Sequence, residues 1–310
     1  FQAEDGIRDS VASRGLGDVY KRQTPDEVTG SISPSIHLTS TFAQDGIGKH
    51  KGYDYSRGGN PTRSRLEANI AALEGGYDAI AFASGMAATT ALFQRLKKND
   101  HVIVSRNVYG GTYRMITRVI SHHGIGFDFV DTTNIKNIER KINKKTKWVF
   151  IETPTNPMLE ITDIQGVADL CKEFNIKLAV DNTFMSTYGQ RPLKNGADCV
   201  MHSTTKSISG HSDVLGGILV VKDESLSESL HFIQKSGGAI PSPFDSWILL
   251  RSVKTMSMRV QRASENAMAL AKFFPGLVVV SGLRKTRKAD IQQIKTCLLY
   301  TSDAADEEDS

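Results

Sequence analysis

Ser203-Thr204-Thr205-Lys206 sets three hydroxyls and a primary amine in succession, a group able to hold phosphate oxygens and to present a nucleophile. A polar loop has the same composition, and an isolated lysine is ordinarily solvent-exposed, so Lys206 acquires a role only from its neighbours. In Ser84-Gly85-Met86, a residue without Cβ at a helix start lets backbone N–H groups come close to a phosphate, although an ordinary helix entry reads the same way. Asp181 closes the apolar run Leu178-Ala179-Val180. A carboxylate there is costly unless it meets a cation; a helix cap or a salt bridge is the plain alternative.

Three more stretches carry polar groups at expected loops. Tyr53 to Thr62 (YDYSRGGNPT) combines aromatics, a guanidinium and glycines, and Arg57 could fork onto a phosphate from it. Tyr109, in Val108-Tyr109-Gly110-Gly111-Thr112, follows a strand end, where its ring can stack on a flat cofactor or serve as a surface turn residue. Glu152-Thr153-Pro154-Thr155-Asn156-Pro157 is rigid and polar just after another strand, and its prolines fix the placement of Asn156.

The elements that must position these residues alternate apolar runs with helical patterns, as in a layered α/β protein. Leu66, Ile70 and Leu73 recur at helical spacing after Pro61, with Thr62 as the expected cap and Gly75-Gly76 as the stop. Ala79 to Ser84 reads as a buried strand running into an Ala-rich helix. Further strands are expected at Val102 to Ser105, Gly126 to Val130, Trp148 to Ile151, Leu178 to Asp181, Cys199 to His202 and Gly217 to Val221. Helices are expected near Thr112 to Ser121, Ile135 to Ile142 and Ile164 to Phe174. The sum is a mostly parallel sheet covered by helices, with ligands beyond the carboxyl ends of its strands.

Composition narrows the partners. A net charge of +4 over 310 residues, without a basic stripe interleaved with aromatics, argues against nucleic acid and leaves anionic small molecules. Cys171, Cys199 and Cys297 are odd in number and far apart, which favours neither a disulfide framework nor a metal site and suits a reducing cytoplasm. No apolar run approaches a membrane span. Neither a G-x-G-x-x-G after the first strand nor a G-x-x-x-x-G-K-[ST] supports nucleotide binding. The two ends, Phe1 to Gln23 and the acidic stretch from about Thr296, lack a sustained apolar period and resemble translated adapter sequence.

From about Thr24 to at least Arg262 the chain resembles the Cys/Met-metabolism, or trans-sulfuration, group of pyridoxal-phosphate (PLP) enzymes. YSRGGNPT, ASGMAA, VYGGTYR, ETPTNP, VDNTF and STTKSISGHSDVLGG stand in that family's order. The resemblance implies the PLP-dependent transferase fold (fold type I, aspartate-aminotransferase-like). It implies that Lys206 binds the cofactor covalently and later shuttles protons, that Asp181 pairs with the pyridine nitrogen, and that Tyr109 stacks on the ring. Ser84, Gly85, Met86, Ser203 and Thr205 would hold the phosphate from their own subunit, and Tyr55 and Arg57 from a neighbour. Asn156 would contact the ring oxygen and orient the substrate, Thr183 would steady the ring region, Glu152 would support it, and Arg114 would meet a distal substrate carboxylate.

The implied activity makes or breaks a C–S bond at the γ-carbon of an amino acid, of the cystathionine γ-lyase or γ-synthase type. Cystathionine β-lyase and O-acylhomoserine sulfhydrylase chemistry are the sibling alternatives. The implied assembly is a dimer of dimers with shared active sites. Implied domains are an N-terminal arm over 24–52, a PLP-binding domain over 53–240 and the start of a C-terminal domain over 241–282, followed by a tail over 283–310. Two departures stand out. Gly111 replaces the cysteine of methionine γ-lyases, which disfavours that specificity. The family's α-carboxylate-binding arginine belongs to the C-terminal domain, and Arg251 and Arg259 lie too early to replace it, so a non-catalytic assembly fragment is the reading from another class.

Overall fold

The computed structural model describes residues 25–26 and 28–273. The stretch 1–23, the tail 283–310 and Cys297 lie outside the described residues. In chain order the elements begin with α1 (Pro61–Glu74), β1 (Asp78–Phe82), α2 (Gly85–Phe93), β2 (His101–Ser105), α3 (Gly110–Arg118) and β3 (Gly126–Val130). They continue with α4 (Ile135–Glu139), β4 (Thr146–Glu152), α5 (Ile164–Glu173), β5 (Lys177–Asp181), α6 (Ser186–Gly189) and β6 (Cys199–Ser203). Last come β7 (Gly217–Val221), α7 (Glu224–Gly237), α8 (Pro243–Val253) and α9 (Met256–Phe273). The described residues divide into two compact units, one comprising those up to Ala91 together with Ser203–Ser257, the other comprising Leu92–His202 and 258–273.

In the first unit β1 pairs antiparallel with β7, Ala81 lying opposite Ile218. Helices α1 and α7 pack on β1, and α8 packs on α1. The start of α1 departs from the expected cap. Asn60, in extended conformation, accepts the Thr62 N–H at 3.0 Å, with Pro61 pre-set in the first turn. Thr62 lies inside the helix, where its hydroxyl donates to the Ser35 carbonyl at 3.1 Å and accepts from the His37 N–H at 3.0 Å, pinning the incoming chain. The stop falls where expected, at Gly75, whose φ of 78° is the left-handed conformation in which a Cβ is penalised.

The second unit carries parallel strands in the order β6-β5-β4-β2-β3. All of β2 is buried, and β4 is buried except at Lys147, as strands covered on both faces require. Phe93 anchors the core between Phe150, at a centroid distance of 5.5 Å, and Phe127, edge-on at 5.9 Å. After β2 the chain places β3 on one side, then returns to place β4 on the other and continues through β5 to β6. The order therefore reverses between β2 and β4, and a crevice for ligands is expected beyond their carboxyl ends. The expected helices here are real but shorter: the first ends at Arg118 before a separate 3₁₀ turn, Ile120–His123, and α4 ends at Glu139.

Candidate active site

At the carboxyl ends of β4 and β5 the parallel register sets Glu152 beside Asp181. Both are buried, at 6% and 5% exposure. Burial pushes the Glu152 carboxyl well above the usual range, and the Asp181 charge pushes it further; burial also raises Asp181. The bonds around the pair act in the opposite direction. Glu152 Oε2 accepts the Tyr109 N–H at 2.6 Å, and its Oε1 accepts the Asn156 N–H at 3.0 Å. Asp181 Oδ1 accepts the Thr183 N–H at 3.0 Å, and the neighbouring His202 on β6 also acts to lower the Asp181 pKa. Tyr109, Glu152, Asn156, Asp181 and Thr183 thus come together where the strand order reverses. Tyr109 is half-buried at the start of α3, Asn156 is exposed, and Arg114 projects from an exposed position of α3.

The loop after β4 is held from beneath. Thr162 N–H donates to Thr153 Oγ1 at 2.9 Å, and the Thr162 hydroxyl continues to Thr132 at 2.7 Å and on to Ser105 at 2.9 Å. Gln190 Nε2 donates to the Thr153 carbonyl at 3.1 Å. Outside, Arg106 bonds Glu160 at 2.7 Å, and the Glu160 N–H donates to Thr155 Oγ1 at 3.0 Å. These ties fix Asn156 more fully than the prolines do alone. The peptide bonds Thr153-Pro154 and Asn156-Pro157 are both cis.

In the other unit, Ser203 ends β6 and Thr204 to Lys206 form a tight turn. Its backbone is fixed by the Lys206 N–H to Ser203 carbonyl bond at 3.3 Å, the Ser209 N–H to Thr204 carbonyl bond at 2.8 Å and the Gly210 N–H to Lys206 carbonyl bond at 2.7 Å. Lys206 is half-buried. Thr205 Oγ1 accepts the Gly216 N–H at 3.1 Å, and the Thr204 N–H donates to the Gly216 carbonyl at 2.9 Å. Next to it, a Cβ on Gly217 would fall 2.2 Å from the Ser84 carbonyl oxygen and 2.7 Å from Gly85 Cα. Gly216-Gly217 therefore brings the Lys206 turn and the Ser84-Gly85-Met86 turn together within this unit. Ser84 Oγ caps α2 by accepting the Ala87 N–H at 3.1 Å, while the first-turn N–H groups of Gly85 and Met86 have no intrahelical acceptor.

Tyr55 and Arg57 lie outside that pairing, on an exposed loop. The Arg57 guanidinium stands 5.4 Å from the Tyr55 ring centroid and donates to the Lys235 carbonyl at 2.6 Å. Two residues beside these groups are not singled out by sequence reasoning. Gly217 is part of the recognised DVLGG run, but the need for a missing side chain there shows only once β7 meets Ser84. His202 precedes the Ser203 turn and was read as strand filling.

Taken unit by unit, a buried carboxylate at a parallel strand end, a helix start whose first N–H groups have no intrahelical acceptor and a lysine on a hydroxyl-rich turn are the fittings of an α/β enzyme built for a phosphorylated cofactor with a protonatable ring. The residues fit PLP, because a raised, buried carboxylate such as Asp181 gains most from a ring N–H carrying positive charge. The chain belongs to the Cys/Met metabolism PLP-dependent enzyme family, whose profile matches residues 18–284. It is 46% identical over 270 residues to a probable cystathionine γ-synthase of Herpetosiphon aurantiacus, covering 86% of this chain and 85% of that one. It is 48% identical over 250 residues to a cystathionine γ-lyase of Bacillus subtilis, covering 81% of this chain and 66% of the relative. The crystal structure of cystathionine γ-lyase from Lactobacillus plantarum complexed with L-serine superposes with a TM-score of 0.82 at 42% identity, over 84% of this chain and 68% of that one. The fold is the PLP-enzyme fold expected from the sequence. No helix among the described residues is long and apolar enough to cross a membrane.

Proposed function

We propose that the protein makes or breaks a C–S bond at the γ-carbon of an amino acid, as a cystathionine γ-lyase or γ-synthase. The observation that carries this reading is the buried Asp181–Glu152 pair, held by the N–H groups of Thr183, Tyr109 and Asn156 at the strand-order reversal. Bound PLP supplies an electron sink that acidifies first the α- and then the β-protons of the substrate.

The chain's own residues do the rest. Lys206 would hold the cofactor covalently, and its amine would take the α-proton of the substrate and return protons afterwards. Asp181 would keep a proton on the ring nitrogen, Thr183 holds that carboxylate through its N–H, and Tyr109 would lie against the ring and exchange a proton with the leaving group. Ser84, Gly85, Met86, Ser203 and Thr205 hold the phosphate, with Tyr55 and Arg57 of a neighbouring subunit. Asn156 orients ring and substrate, and Arg114 meets a distal carboxylate.

Shared phosphate contacts make the working unit a homo-oligomer, a dimer of dimers. Residues 53–240 form the cofactor-binding domain, with 24–52 as the arm and 241–282 opening the C-terminal domain. The buried free thiols Cys171 and Cys199, each pushed up to about 12 mainly by burial, suit a reducing cytoplasm.

Borohydride reduction of PLP-loaded protein followed by peptide mapping tests the site. A pyridoxyl group on Lys206 is expected, and labelling confined to other lysines refutes the assignment. Incubation with cystathionine, O-succinylhomoserine and O-acetylhomoserine then distinguishes γ-chemistry from pyruvate-forming β-elimination.

A further inference from the structure

A buried ionic relay in the first unit is not used by the chemistry above. Arg63 on α1, 2% exposed, donates Nη1 to the Ser56 carbonyl at 2.8 Å and Nη2 to the Arg57 carbonyl at 3.4 Å. Its Nε stands 3.7 Å from Glu67 Oε1, an ion pair longer than a hydrogen bond. The same Glu67 oxygen accepts the Ala81 N–H at 2.9 Å and Gln234 Nε2 at 3.2 Å. Gln234, 1% exposed, also donates to the Ala81 carbonyl at 2.5 Å.

Ala81 is therefore gripped at both backbone groups by side chains, on the side of β1 that does not face β7. Three residues later comes Ser84, the start of the phosphate turn; between them, the Ala83 N–H bonds the Ala239 carbonyl at 3.0 Å, just past the end of α7 that carries Gln234. Arg57 itself bonds the Lys235 carbonyl next to Gln234. Two loops with phosphate-directed residues, Tyr55-Ser56-Arg57 and Ser84-Gly85-Met86, are thus tied through one desolvated pair. Burial lowers the Arg63 pKa and raises that of Glu67, and the charge of each partner opposes the other's shift.

We propose that Arg63, Glu67 and Gln234 are positioning residues for the cofactor phosphate, locking the loop of Tyr55 and Arg57 to the helix-start turn. This rests on the PLP reading above. If Tyr55 and Arg57 serve the neighbour's phosphate while Ser84 to Met86 serve their own, the relay also joins two active sites.

The test compares PLP with pyridoxal, which has the same ring and aldehyde but no phosphate, titrated by absorbance into the full-length apo-protein. Glu67→Gln keeps the shape and removes the charge; Arg63→Lys keeps the charge and removes the fork. Each is expected to weaken PLP binding about tenfold, the effect of losing one charge-assisted contact, and to leave pyridoxal affinity within about twofold. In an Arg57→Ala background, Arg63→Lys is expected to lose most of its effect, since both act through one loop. Should Glu67→Gln fail to fold, Arg63→Lys gives the answer by itself. PLP binding unchanged in the variants, or equal losses for both ligands, overturns the proposal. A parent protein that takes up no PLP removes the cofactor reading and the relay with it, whereas a parent that binds PLP beside unaffected variants removes the relay alone.

Discussion

The two units hold their polar groups in place by different physics. In the unit of β2 to β6 the fittings are electrostatic: two carboxylates are forced side by side by strand register, buried, and offset by backbone N–H groups and His202. In the unit of β1 and β7 they are steric: Gly216 and Gly217 leave room for two turns to touch, and backbone bonds fix Lys206. An electrostatic fitting tolerates small changes of shape but responds to charge and pH. A steric one ignores pH and fails with a single methyl group.

The largest effect expected from this contrast is at Asp181. Asp181→Asn keeps the size and removes the charge, and kcat should fall about 10²- to 10³-fold, as for other preorganised electrostatic groups. Thermal stability of the apo-protein should not fall, because an unfavourable buried charge has gone; melting curves beside steady-state rates check both. If kcat is retained, the electrostatic half of the contrast is wrong.

At the steric half, Gly217→Ala places a methyl 2.2 Å from the Ser84 carbonyl oxygen. Overpacking of this kind costs about 1–3 kcal/mol, and denaturant titration should show it together with weakened PLP uptake. A variant as stable as its parent would mean that β7 can shift freely.

The pH response separates the halves further. Glu152 and Asp181 have raised pKa values in the folded apo-protein, so the folded state holds protons that the unfolded state releases. Their contribution to stability is present below the unfolded value of about 4 and is lost as pH rises through the folded values. Each titrating carboxyl gives a slope of up to about 1.4 kcal/mol per pH unit, and PLP, by supplying a cation at Asp181, should flatten it. Chemical denaturation across pH with and without PLP measures this; Gly217→Ala should leave the slope unaltered. The smallest effect lies at the α1 cap: Asn60→Ala should cost about 1 kcal/mol without changing the pH slope, again by denaturant titration.

Much of this is legible in the amino-acid sequence. The apolar runs ending at Ser105, Asp181 and Val221 match the observed strands to within a residue, because strands buried on both faces show as continuous apolar stretches. The α1 cap lies two residues before the expected Thr62, at Asn60: Asn and Thr are both good caps, and the Pro61 between them fits the first turn. Lys206 and Asp181 were legible only as candidates, since a lysine in a polar turn and a carboxylate after a strand have commonplace alternatives.

The sequence by itself determined which groups exist and near which element ends they fall, because periodicity, turn residues and motif order are local properties of the chain. Tertiary structure alone decided who meets whom. Glu152 reaches the Tyr109 N–H across 43 residues and Gln234 reaches Glu67 across 167, through strand register and helix packing that no local pattern encodes. The raised carboxyls arise in the same way, since the burial of both, and the Asp181 charge beside Glu152, exist only after β4 and β5 have paired.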